Sequence, residues 1–195
     1  MKLAVVGSYG NGKTTLSTAI AEELNLSRVH ATPMVLSDGA LQISLEQCDE
    51  LELLQLVSRR LIERVSAESA ALDTGFVSDG SVLHELLYAA IRYRFGLHPS
   101  DGECVPTRIL PAEAKAVEAL RVEVVNYARQ TYDAVIFVPN EKRLSDDPPP
   151  ISEQFRALLD SAMLDLLKAE RFPYVVVRGP VRERTDAATG FIASL

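Results

Sequence analysis

Short apolar runs alternate along this chain with longer stretches whose apolar residues recur at helical spacing. The first run, KLAVVG, is continuous, as a strand covered on both faces of a parallel sheet must be. A helix is expected from about Lys13, with Leu16, Ala19, Ile20 and Leu24 on its stripe. RVHATPMVL reads as a second short strand, with Pro33 at its end or at an edge position. Ser44-Leu45-Glu46-Gln47 fits a capping box, and a long helix striped by Leu51, Leu54, Leu61, Ile62 and Val65 should follow. Its acids come early and Arg59, Arg60 and Arg64 late, which suits the helix dipole. GFVSDGS gives a third strand ending in Asp79. Ser81 then caps a helix that Gly96 closes. Pro111 opens a helix reaching about Tyr132, AVIFVP is the fourth strand, and Ser152 caps a helix striped by Phe155, Leu159 and Leu166. YVVVRG is the fifth strand, and a last helix runs from about Val181.

Strands alternating with helices at this rhythm predict a single α/β domain over residues 1–195. Periodicity does not give the strand order. Composition leaves that picture unchanged: 47% hydrophobic and 24% charged residues are ordinary for a globular chain. The net charge of −7 does more, since nucleic-acid surfaces need a basic patch and the densest basic cluster here is Arg92-Tyr93-Arg94. No apolar stretch is long enough to span a membrane, and the N-terminal strand carries no signal-peptide pattern. Cys48 and Cys104 have neither CxxC nor metal spacing, so free thiols and a cytoplasmic location are expected.

One stretch carries chemistry. Gly7-Ser8-Tyr9-Gly10-Asn11-Gly12-Lys13-Thr14, followed by Thr15, matches G-x-x-x-x-G-K-[ST] between a predicted strand and a predicted helix. Its glycines let backbone N–H groups approach phosphate oxygens, and the helix start adds positive potential. Lys13 would reach the β- and γ-phosphates and Thr14 would ligate Mg²⁺. A carboxylate at a strand end usually completes such a site, and Asp79 is placed for it, as metal ligand or as base toward an acceptor hydroxyl. Its competing reading is the cap of the following helix, where Ser81 is the rival. Asp38 in LSDG reads as a turn residue and Asp133 as a solvated one. His84 and His98 read as structural or surface residues.

The loop GSYGNGKTTL, FVSDGSVLHELLYA, YDAVIFVP and EQFRALLDSAMLDLLKAERFPYVVVRG together resemble the small P-loop ATPase/kinase family that includes the nicotinamide riboside kinase domain. The likeness spans nearly the whole chain. It implies a P-loop NTPase fold, a five-stranded parallel sheet sandwiched by helices, with the Asp-bearing strand beside the loop strand. It also implies ATP with Mg²⁺ as cofactors and phosphoryl transfer to a small hydroxyl compound of nucleoside, nucleotide or ribosyl type. Small P-loop kinases are often dimers, so a homodimer is admitted. Two departures stand out. The family often has arginine directly after the Asp, where this chain has Gly80. An arginine also commonly precedes the penultimate helix, where Arg143 is the nearest candidate catalytic residue, with Arg92 and Arg94 as substitutes. Arg178, after the fifth strand, would line the adenine end, though RGP is also a plain strand-to-helix turn. The absence of an Asn/Thr-Lys-x-Asp motif favours ATP over GTP. The alternative is a nucleotide-binding regulator or slow NTPase acting through a protein partner.

Overall fold

The computed structural model describes residues 1–30, 35–38, 41–44, 50–99, 102, 111–146 and 149–195. Five parallel strands form the central sheet: β1 (Lys2–Val6), β2 (Ser27–His30), β5 (Phe76–Asp79), β6 (Ala134–Phe137) and β7 (Tyr174–Val176), in the order β2-β5-β1-β6-β7. Two further strands, β3 (Val35–Asp38) and β4 (Leu41–Ser44), pair antiparallel in a separate hairpin. The apolar run expected as one strand from Arg28 is thus split: β2 ends at His30, and Val35 and Leu36 belong to the hairpin. Asp38, expected in a turn, ends β3 opposite Leu41. Ser44 ends β4, while Leu45 to Gln47 of the expected capping box, and both cysteines, lie outside the described residues.

Six helices connect the strands: α1 (Lys13–Leu24), α2 (Glu50–Ser69), α3 (Val82–Phe95), α4 (Pro111–Thr131), α5 (Glu153–Ala169) and α6 (Val181–Ile192). Alternate residues of the central strands point to opposite faces. Leu3, Val5, Val77, Ala134 and Ile136 meet Leu16 and Ile20 of α1 and Ala188 and Ile192 of α6. Ala4, Val6, Phe76, Val135 and Phe137 meet the larger layer of α2, α3, α4 and α5. Both faces of β1 are therefore covered, which is why its sequence shows no polar alternation. No described helix is long and apolar enough to cross a membrane.

Local chemistry sets the ends of the helices. The Ser81 hydroxyl accepts from the His84 N–H at 3.1 Å and caps α3, and Ser152 does the same for α5 through Phe155 at 3.0 Å. Gly96 ends α3 with φ 79°, its N–H returning to the Arg92 carbonyl. Helix α1 differs. Gly12 precedes it at φ 81° with no side-chain cap and no acid in the first turn, so the helix itself supplies nothing that offsets its positive end.

Candidate functional site

The loop between β1 and α1 is held from several directions. The Val138 N–H donates to the Val6 carbonyl at 2.8 Å, which brings the end of β6 alongside the loop. Gly7 lies so close that a Cβ there would sit 2.2 Å from the Val138 oxygen, so only glycine fits. Buried Ser8 donates its hydroxyl to Asn140 Oδ1, and its N–H to Asp160 Oδ1 at 3.2 Å. Asp160 also accepts the Asn140 N–H at 2.6 Å, and burial raises its pKa. The Asn11 amide nitrogen donates to Ser8 Oγ and to the Val138 carbonyl.

Two arginines from the C-terminal third clamp the same loop. Arg156 of α5, only 1% exposed, donates from Nε to the Tyr9 carbonyl at 2.9 Å and from Nη2 to Asn11 Oδ1 at 2.7 Å. Its Nη1 holds the Lys142 carbonyl and Glu153. Arg184 of α6 donates from Nη1 to the Asn11 carbonyl at 2.8 Å and from Nη2 to Glu141.

Lys13 donates to the Ser8 carbonyl at 2.8 Å. Burial pushes its pKa down to about 8, against the pull of Asp79, Asp160 and Glu85. Thr14 and Thr15 are exposed, and their hydroxyls make no hydrogen bond among the described residues. An uncapped helix start, a desolvated ammonium and a free threonine hydroxyl together fit the phosphates and metal of a nucleotide.

Asp79 reaches this place through sheet register. It pairs with Val5 across β1–β5, and the Gly80 N–H donates to the Val5 carbonyl at 2.9 Å. Ser81, not Asp79, caps α3. The Asp79 carboxylate instead accepts from Arg28 Nη1 of β2 at 2.9 Å and is mostly covered.

Beneath Asp79 lies a buried network that sequence reasoning did not find. Arg60 Nε and Nη2 bind both oxygens of Glu85, at 2.7 and 2.9 Å, and Arg64 Nη2 binds Oε1 at 3.0 Å. Burial works to raise the Glu85 pKa, but Arg64 and then Arg60 overcome it and hold it at about 2. Arg64 also donates to Ser78 Oγ and to the Asp79 carbonyl. Ser78 Oγ donates in turn to Glu68, which accepts from Tyr127 and Tyr132. These arginines, read from sequence only as basic residues late in the helix, are buried because Glu85 of α3 pairs with both. Gly80 explains itself here: at φ 95°, a Cβ on it would lie 2.8 Å from Arg64 Nη2. A guanidinium does pass under position 80, but from α2.

Half-buried His84 stands one residue before Glu85, and burial, then Lys13, push its pKa down to about 3. It is a neutral imidazole in this site. Arg143 is exposed beyond β6. Arg178 is also exposed, while its neighbour Gly179 donates to Glu141. Arg94 lies 5.3 Å from the Phe95 ring. Of the expected residues, the fold gathers the loop, Lys13, Thr14 and Asp79. The ones missed (Arg28, Asn140, Glu141, Arg156, Asp160 and Arg184) carry no local motif.

A model of the AAA domain family matches residues 2–184. No curated protein matches the chain. Among solved structures, deoxyadenosine kinase from M. mycoides with bound dATP is similar at 18% identity and a TM-score of 0.62, covering 99% of this chain and 100% of that one. Thymidylate kinase from Ehrlichia chaffeensis is similar at 16% identity and a TM-score of 0.60, with 98% of each chain covered. NadR protein in complex with NR is similar at 14% identity and a TM-score of 0.63, over 98% of this chain and 51% of that one. At such identities the likeness is one of fold, and it agrees with the sheet order and the loop described above. The chain belongs to the AAA domain family and folds as a nucleoside- or nucleotide-kinase-like P-loop NTPase.

Proposed function

We propose that this protein is a Mg·ATP-dependent kinase of a small hydroxyl compound, of nucleoside, nucleotide or ribosyl type. The observation that carries this reading is Asp79: Ser81 relieves it of capping, and the β1–β5 register sets it at the strand end beside the phosphate loop. In the proposed roles the amides of Gly10 to Thr15 hold the phosphates, and Lys13 exchanges its bond to the Ser8 carbonyl for phosphate oxygens. Thr14 and Asp79 would hold Mg²⁺, whose charge offsets that developing on the transferred group. The Asp79 oxygen not paired with Arg28 is the one left for metal or for the acceptor proton. The ligands bound in two structural neighbours, dATP and NR, support a nucleotide- or ribosyl-type substrate class.

Asp79→Asn tests the assignment. Nucleotide should still bind, since loop amides and Lys13 carry the phosphates, while turnover falls about a hundred-fold or more. A thermal-shift screen of nucleosides and related metabolites with a non-hydrolysable ATP analogue supplies the acceptor. Steady-state ATP consumption is then compared between wild type and variant. Equal rates would remove Asp79 from the chemistry. A slow hydrolysis that no acceptor accelerates would favour a nucleotide-binding regulator, the reading that Gly80 in place of arginine otherwise suggests.

A further inference from the structure

Beside the phosphate loop opens a cleft of about 350 Å³, lined by Gly10, Asn11 and Gly12 on one side and by Glu141, Gly179 and Arg184 on the other. Its size suits one ring system with its sugar. The polar group at its far wall is unusual for a phosphate-binding neighbourhood: the carboxylate of Glu141. It is exposed but held on both oxygens. Both its oxygens accept from the Gly179 N–H, at 3.1 and 3.2 Å, and Oε2 also accepts from Arg184, which grips the loop through the Asn11 carbonyl. Gly179 turns at φ 83°, a left-handed conformation that favours glycine, and this turn aims its N–H at Glu141.

A fixed carboxylate repels phosphate, so the phosphates must lie at the α1 end and the base at Glu141. Oε2 is engaged by a guanidinium and shares the Gly179 N–H. Oε1 has only its half of that shared bond, at 3.1 Å, and keeps accepting capacity. One spare acceptor suits one donor. We propose that Glu141, positioned by Arg184 and Gly179, selects adenine by accepting its exocyclic amino group. Adenine presents N6–H₂ where guanine and hypoxanthine present an oxygen, and an oxygen facing this carboxylate is repelled. Guanine's own pair of adjacent donors would need both carboxylate oxygens, and Arg184 already occupies one. This inference rests on the nucleotide reading above and adds to it the residue that reads the base.

The test is equilibrium binding of the Mg complexes of ATP, ITP and GTP, and of tripolyphosphate, to wild type and Glu141→Ala. ITP carries a carbonyl where ATP carries the amino group, and a proton on N1, and is otherwise the same molecule. Wild type should prefer ATP over ITP and GTP by about tenfold, the scale of one hydrogen bond to a charged group. In the variant that preference should shrink to within about twofold, with tripolyphosphate affinity unchanged. If the variant loses ATP and ITP by the same factor, Glu141 only braces Gly179 and Arg184, and the selector is overturned. Wild-type preference for GTP or ITP overturns it as well. Failure of wild type to bind either ATP or tripolyphosphate defeats the nucleotide reading itself, an outcome distinct from the others.

Discussion

At Lys13, burial strips water from the ammonium while Asp79, Asp160 and Glu85 pull the other way and Arg156 adds to the burial. The balance leaves the group at about 8, where half of it is neutral near pH 8. Phosphate binds the charged form and raises the pKa on binding, so nucleotide capture takes up a proton above pH 8. Affinity should be flat near pH 7 and fall about tenfold by pH 9, where some nine-tenths of free Lys13 is neutral. Titration calorimetry in buffers of different ionisation enthalpy reads both the affinity and the proton. Lys13→Ala should bind about ten- to a hundred-fold more weakly at pH 7 and lose that pH dependence. Persistence of the slope in the variant would assign it elsewhere. The same residue shows why part of the site was legible in sequence. Gly7 to Thr14 acts through backbone geometry within eight positions, so spacing alone specifies it. The position of Asp79 was legible too, since an acid closing an apolar run announces the end of a strand.

Among the elements, α2 and α3 meet through charge as well as apolar packing. Arg60 and Arg64 converge on Glu85, and all three are buried. Breaking such an arrangement from one side leaves uncompensated buried charge, so Glu85→Gln should cost about 3–5 kcal/mol in urea melts. The folded-state pKa of Glu85 is depressed, so its contribution is complete above the unfolded value of about 4.5 and is lost as pH falls toward 2. The variant's stability should therefore converge on wild type in acid. Gly80→Arg, which restores the residue common in the family, should destabilise rather than activate. Its side chain must start from a left-handed backbone and enter space held by Arg64, costing about 2 kcal/mol or more. Gly80→Ala, with the smaller group, should cost less, and thermal melts order the series. Sequence analysis placed the helices and named Ser81 and Ser152 as caps because those signals are local. By hydropathy alone Arg60 and Arg64 look no different from solvated arginines. Only the partner on another helix reveals otherwise. The strand order, and with it the Arg28–Asp79 pair across β2 and β5, is likewise set by long-range pairing that no local period encodes.

For the molecule as a whole, the proposed nucleotide binds the folded chain and not the unfolded one, so it should stabilise by mass action. At a hundred times its dissociation constant that is about 2.7 kcal/mol, or roughly 5–11 °C in melting temperature for a chain of this size. Chelating Mg²⁺ should reduce the shift, and a shift indifferent to chelator would remove Thr14 and Asp79 from the metal. The clamp on the loop has another consequence. Arg156 and Arg184 reach Asn11 from 145 and 173 positions downstream. A ribosome therefore delivers the motif first and its supports last. A nascent chain that has emerged only through β1 and α1 owns the loop's residues without its shape, and capture of nucleotide begins once α6 has left the exit tunnel. Stalled chains ending before Arg184 should pass through a nucleotide resin that retains chains carrying a folded α6, which makes ligand capture a report on synthesis through that helix.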